Sequence, residues 1–117
     1  MLSRDEQRLE RIKEYCEDIR ATVFRFGANF DTFQKEPDYQ KSVAFSILQI
    51  GELVGGLSEA FRTATQAQIP WGKIKNMRNI VVHDYGSINL ETVWNTVMDS
   101  IPELQIFCEG QLPSDLD

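Results

Sequence analysis

Apolar residues recur every three or four positions along nearly the whole of this chain. That spacing stacks them on one face of an α-helix and would scatter them over both faces of a strand. The first run is Leu9, Ile12, Cys16, Ile19, Val23 and Phe26. Ser3 followed by Glu6 has the capping-box spacing at its start, and Gly27 closes it. Between residues 4 and 25 the other faces carry six acids and six bases, with Asp5/Arg8 and Glu17/Arg20 three apart, as on a solvated helix surface. Residues 29–36 hold a short turn of helix with Phe30 and Phe33, stopped at Pro37. A long helix is then predicted from an N-cap at Asp38 to about Leu57, with Val43, Ile47, Ile50, Val54 and Leu57 as its stripe and Ala44, Leu48 and Gly51 widening it. A glycine inside a helix costs about 1 kcal/mol against alanine, so Gly51 predicts a close approach by another helix. Gly55 and Gly56 weaken the end, Ser58–Arg62 resumes as a further turn, and Thr63–Gln68 reads as polar loop.

Pro70 suits the first position of the next helix, where its missing N–H costs nothing. That helix turns Trp71, Ile74, Met77 and Val81 inward and stops at Gly86. The last helix begins near Asn89 and buries Leu90, Val93, Val97, Ile101, Leu104 and Cys108. Pro102 must kink or restart it, and an acidic tail frays from Gly110. Strand patterns, hairpin turns and internal repeats are absent. The expectation is an all-α bundle of about four to five antiparallel helices, spanning residues 1–117 as one domain.

Composition narrows the function. Hydrophobic residues make up 42% and charged residues 26% of 117, ordinary for a globular protein. No apolar stretch approaches the ~18 residues of a membrane span, and the charged Met-Leu-Ser-Arg-Asp-Glu start does not read as an export signal. Cys16 and Cys108 are too few for a disulfide framework, and with a single histidine a structural zinc site is excluded. A cytoplasmic protein with two reduced, packed thiols is expected. The net charge of −6 argues against a protein that coats nucleic acid, but it is unevenly spread. Residues 79–117 hold seven acids and no base, whereas residues 60–83 hold Arg62, Lys73, Lys75 and Arg78 and no acid.

That positive segment is where chemistry concentrates. Phosphate-binding glycine loops, nucleophile elbows and metal-ligand spacings are absent elsewhere. The only histidine, His83, lies near the end of its helix, where the charged form is favoured. With Arg78 and Tyr85 it forms R-x4-H-x-Y. At 100° per residue Arg78 and His83 diverge by about 140°. They converge only if the helix distorts between them or a second subunit supplies the partner group. By residue chemistry alone, a histidine here serves equally as a cap or a packing group.

Arg78-Asn79-Ile-Val-Val-His83 followed by Asp84-Tyr85 resembles the motif of the HepT-like toxins, a branch of the HEPN (higher eukaryotes and prokaryotes nucleotide-binding) domains. The segments SILQIGEL at 46–53, IPWGKIKNMRNIVVHDYG at 69–86 and VWNTV at 93–97 resemble the family in the expected order, over nearly the whole chain. Gly72-Lys73 after the tryptophan is the one departure. The resemblance implies a HEPN-type bundle and a metal-independent endoribonuclease with no cofactor. Arg78 and His83 would be catalytic and Asn79 would support them; by the charge of the segment, Lys73 and Lys75 are the candidates to bind RNA phosphates. The resemblance further implies a homodimer that brings two copies of His83 to one cleft. The implied partners are RNA (mRNA or tRNA) and a cognate MNT-type nucleotidyltransferase antitoxin, a type VII pair in which AMPylation of Tyr85 silences the toxin. Alternatively, Tyr85 packs or contacts RNA. The other class of function is a non-catalytic helical module that pairs with a nucleotidyltransferase and holds nucleotide or RNA. With the basic charge confined to one segment, RNA contact should be local and its salt dependence modest.

Overall fold

The computed structural model describes residues 2–83 and 89–113, with residues 80–83 described by backbone alone. Among these the regular structure is helical throughout: α1 (Arg4–Phe26), α2 (Phe30–Lys35), α3 (Pro37–Gly55), α4 (Glu59–Thr65), α5 (Trp71–His83), α6 (Leu90–Asn95), a π-helical turn (Thr96–Ser100) and α7 (Ile101–Gln111). This is the all-α bundle expected from the periodicity, and it is consistent with the HEPN-type bundle that the resemblance implies. No single described helix is long and apolar enough to cross a membrane.

The local signals act where the sequence puts them. Ser3 Oγ accepts from the Glu6 N–H while Glu6 Oε1 accepts from the Ser3 N–H, so two unpaired donors of the first turn are satisfied together. Gly27 ends α1 at φ 104°, where a side chain would be strained. Asn29, Ser58 and Asn89 cap α2, α4 and α6 through side-chain oxygens.

Four boundaries differ from expectation. The N-cap of α3 is Glu36 rather than Asp38: Pro37 lacks an N–H and takes the first helical position, which leaves Asp38 in the first turn facing the helix dipole. Pro70 sits one residue before α5 instead of opening it, with its carbonyl accepting from the Ile74 N–H at 3.1 Å. Thr63–Thr65 are helical rather than loop, because Thr65 Oγ1 donates to the Phe61 carbonyl at 2.8 Å and accepts the Trp71 indole N–H at 2.8 Å. Gly110 lies inside α7, which continues to Gln111. The predicted stop at Gly86 and residues 114–117 of the tail lie outside the described residues. Pro102 does restart the last helix: the π turn precedes it, with the Ile101 N–H reaching back to the Thr96 carbonyl, and Pro102 falls in the first turn of α7.

The packing is organised by α3, which lies against α1 on one side and α5 on the other, while α1 also packs on α7. One core cluster runs through these helices and includes all the expected stripes of α1 and α3 as buried or partly buried side chains. Trp71 is wedged between Phe61 and Phe107, with ring centroids 6.1 and 5.6 Å away, which ties the start of α5 to α4 and α7. Cys16 and Cys108 are free and buried. Burial pushes Cys108 up to about 12 and Cys16 further still, the second helped by Cys108 beside it, so both remain inert thiols at neutral pH.

Candidate functional site

α5 carries the candidate residues, and its register decides which of them meet. Trp71, Ile74 and Met77 are buried, which fixes the core-facing side of the helix. Arg78 flanks that side and turns toward α3. There the sequence expectation for Gly51 is met: a Cβ at position 51 would lie 2.7 Å from Arg78 Cβ, closer than two such atoms can sit. The missing side chain of Gly51 is what lets the stem of Arg78 lie against α3.

Arg78 also acquires a partner that the sequence did not assign. Glu52 Oε1 lies 2.5 Å from Arg78 Nε. The Nε–H makes no hydrogen bond, so the carboxylate sits off the N–H axis and the contact is charge against charge. Both side chains are substantially exposed, 41% for Arg78 and 55% for Glu52, so the pair contributes under about 1 kcal/mol and orients more than it stabilises. Glu52 stands inside the SILQIGEL segment; its signal was its place next to a glycine predicted to touch another helix.

The remaining candidates separate by register. Lys75, three residues before Arg78, lies on the same side, and a Cβ at Gly55 would come within 3.8 Å of its Cε. Lys73 is exposed and falls about 140° from Arg78, so α5 does not bring it to the Arg78 side. Asn79 is exposed and shares a face with position 83, four residues on and about 40° round, together with exposed Asn76. The helix runs through His83 without a break, so the 140° between Arg78 and His83 stands and a distorted helix does not close it. The His83 side chain and the whole of Tyr85 lie outside the described residues. Arg62, the fourth base of the positive segment, sits apart on α4, beside Trp71 and Gly72 in a polar groove.

One other surface hollow does not suit a phosphate. A groove of about 380 Å³ between α1 and α7 is walled by Ile19, Val23, Val97, Met98, Ile101 and Ile106 and is mainly apolar. Among the described residues no three His, Cys, Asp or Glu side chains cluster closely enough to hold a metal ion. What the described site offers is a fixed guanidinium with a lysine beside it, and a polar helix face that carries Asn79 and position 83. A planar cationic fork of this kind pairs with phosphate oxygens.

Comparison with known proteins points the same way. A family model described as "Ribonuclease HepT-like" matches residues 6–110. The chain is 34% identical over 97 residues to the protein named "Putative RNase TTE0752" of Caldanaerobacter subterraneus subsp. tengcongensis, covering 83% of this chain and 84% of that one. It is 28% identical over 98 residues to "Probable ribonuclease HepT" of Thermococcus cleftensis, covering 80% of this chain and 88% of that protein. No solved structure matches the chain.

Proposed function

Because the chain belongs to the HepT-like ribonuclease family, we propose that it is a metal-independent endoribonuclease whose centre combines Arg78 and His83 from two copies of the chain. The observation that carries this reading is the fixing of Arg78 against Gly51 and beside Glu52, in a stretch of sequence with no acid of its own.

The chemistry follows from what cleavage requires. The 2′-oxygen of RNA attacks the neighbouring phosphorus as the bond to the 5′-oxygen breaks, leaving a 2′,3′-cyclic phosphate and a 5′-hydroxyl. One group must take the 2′ proton, another must give a proton to the departing 5′-oxygen, and a cation must offset charge on the non-bridging oxygens. Arg78 supplies the cation. A single imidazole does not serve as base and acid in one step, so two copies of His83 at a homodimer cleft divide those roles. That arrangement also removes the need for Arg78 and His83 of one helix to converge. Asn79, on the face of position 83, orients the imidazole, while Lys75, on the Arg78 side, holds a flanking phosphate of an mRNA or tRNA; Lys73, turned away, does not. We place Tyr85 as the acceptor of AMP from a cognate MNT-type nucleotidyltransferase antitoxin, in the cytoplasm. A nucleotide attached there adds bulk and negative charge at a phosphate site.

The purified chain should cut single-stranded RNA or tRNA in EDTA. His83→Ala should reduce cleavage by at least about 100-fold with an unchanged Tm, and full activity in that variant would sink the assignment. Arg78→Lys should also lose most activity, since a point charge does not reproduce the fork. Incubation with the partner enzyme and ATP should add AMP to Tyr85 by mass spectrometry, whereas no adduct, or one elsewhere, refutes the silencing mechanism. The rival reading, a non-catalytic module, draws on Glu52 already engaging Arg78. RNA bound but left intact by the parent chain would favour it.

A further inference from the structure

We propose that Arg4, Arg8 and Arg11 of α1 form a second phosphate-binding track, which carries the RNA beyond the Arg78 site across the glycine-rich end of α3. The proposal rests on the ribonuclease reading and names where the rest of its substrate lies. The three arginines step by four and three residues, which confines them to about 60° of the helix surface. With Gln7 and Leu53 they line a shallow groove of about 360 Å³.

Position links this groove to the site already described. α3 lies between α1 and α5, and basic side chains reach its end from both sides. A Cβ at Gly56 would fall 2.6 Å from Arg8 Nε, one at Gly51 2.7 Å from Arg78 Cβ, and one at Gly55 3.8 Å from Lys75 Cε. Positions 51 to 56 span only about 7.5 Å along the helix axis. The missing side chains at Gly51 and Gly56 let Arg78 and Arg8 lie directly against this stretch, so both cations stand at the same end of α3.

Charge points to the same ligand. The acids that share the first turns of α1 are already engaged within the chain. Asp5 accepts from the Ser58 N–H at 2.9 Å and from Ser58 Oγ at 2.6 Å. Glu6 accepts from the Ser3 N–H, and Glu10 pairs with Lys13 at 3.5 Å. The ion pairs found among the described residues are Lys13–Glu10 and Arg78–Glu52, and neither uses the stripe. Cations near the C-terminus of α3 also interact well with its dipole, which accounts for Arg8 but not for Arg4 and Arg11. Three forks on one face of a groove suit consecutive phosphates of a single strand.

The test uses the full chain. For binding it carries His83→Ala, so that a single-stranded RNA of about 20 nucleotides stays intact while affinity is measured against salt. Each phosphate contact to a single strand contributes about 0.7 to the slope of log K against log salt. Arg4→Gln/Arg8→Gln/Arg11→Gln should therefore lower the slope by about 2. With His83 restored, the same triple should raise KM for a long RNA by about tenfold or more and leave kcat within about twofold, as expected when uniform binding is lost. If the triple variant fails to fold, Arg4→Gln/Arg11→Gln alters two exposed positions and should lower the slope by about 1.4. A parent chain that cuts RNA, with slope and KM unmoved by these substitutions, overturns the track and leaves the ribonuclease reading standing. A parent that neither binds nor cuts RNA overturns both. Unchanged RNA binding with lost binding of an acidic protein partner would assign the stripe to that partner, and also overturns the track.

Discussion

At the scale of single residues, Gly51 gives up about 1 kcal/mol of helix propensity, and what it admits is the stem of Arg78. Gly51→Ala would place two Cβ atoms 2.7 Å apart, and neither is the far end of a flexible side chain, so α3 and α5 must part. The expected cost is about 1–3 kcal/mol, with RNA cleavage falling further than the lost stability explains because Arg78 moves with its helix. Gly72 supplies the contrast. It lies in the first turn of α5 with nothing within 4 Å of a built Cβ and no positive φ, so Gly72→Ala should stabilise by about 0.4–1 kcal/mol. Thermal melts of the two variants should move in opposite directions; equal upward shifts would mean that α3 and α5 are not in close contact at Gly51. Glu52→Gln should leave Tm within about 2 °C, since the pair is exposed, yet lower kcat by releasing the Arg78 fork. The need for a neighbour at Gly51 was legible in the sequence, because an interior glycine makes little sense otherwise. That the neighbour is Arg78, with Glu52 at its side, was not, since it depends on how two helices cross to bring together residues 26 and 27 apart in sequence.

At the scale of elements, the caps and breakers were readable and the joints between helices were not. Ser58 illustrates the difference. Its Oγ caps α4 by accepting from the Phe61 N–H at 3.1 Å, a role its position before a helical pattern suggests. The same hydroxyl and its own backbone N–H also donate to Asp5, which fastens the first turn of α1 to the α3–α4 corner, a contact between residues 53 apart in sequence. Burial pushes the Asp5 carboxyl up, but the Ser58 bonds and the nearby Arg8 charge outweigh it and hold the group below its ordinary value. A lowered folded pKa means that the fastening is fully present above the unfolded range near pH 3.9 and is lost as pH falls through the folded value. Asp5→Asn, discounted for exposure, should cost about 1 kcal/mol at neutral pH, roughly 4 °C in Tm. That gap should persist down to about pH 4 and close below it. A gap that widens in acid would mean the Asp5 carboxylate destabilises the joint. Because this joint seats the α1 arginines beside Gly56, the same variant should weaken binding of long RNA at neutral pH.

At the scale of the whole molecule, a net charge of −6 and a ribonuclease reading are compatible because the charge is arranged, not averaged. Sequence order placed the positive region at residues 60–83, and the fold redraws it. Arg62 and Lys73 fall away from Arg78, while Arg8, more than fifty residues upstream, arrives beside Gly56. The α1 arginines read as solvated helix surface because nothing in their spacing reveals which helix they lie against. If they engage phosphates, the salt dependence of binding exceeds what the 60–83 segment alone would give. The unbroken register of α5 leads to a requirement on assembly. With Arg78 and position 83 about 140° apart on a continuous helix, one chain does not present both to one phosphate, and a cleft shared by two chains meets the need for a base and an acid. Subunit mixing tests this directly. When equal amounts of parent and His83→Ala chains exchange fully, random pairing leaves about a quarter of the dimers with two histidines. If both copies serve one cleft, activity should fall to about a quarter of that of the same total amount of parent protein. If each chain works alone, half should remain. The pH profile of kcat/KM provides the companion measurement: one base and one acid give a bell with two limbs. Half activity on mixing together with a single-limbed profile would rule out the shared cleft and require a second proton-transfer group within one chain.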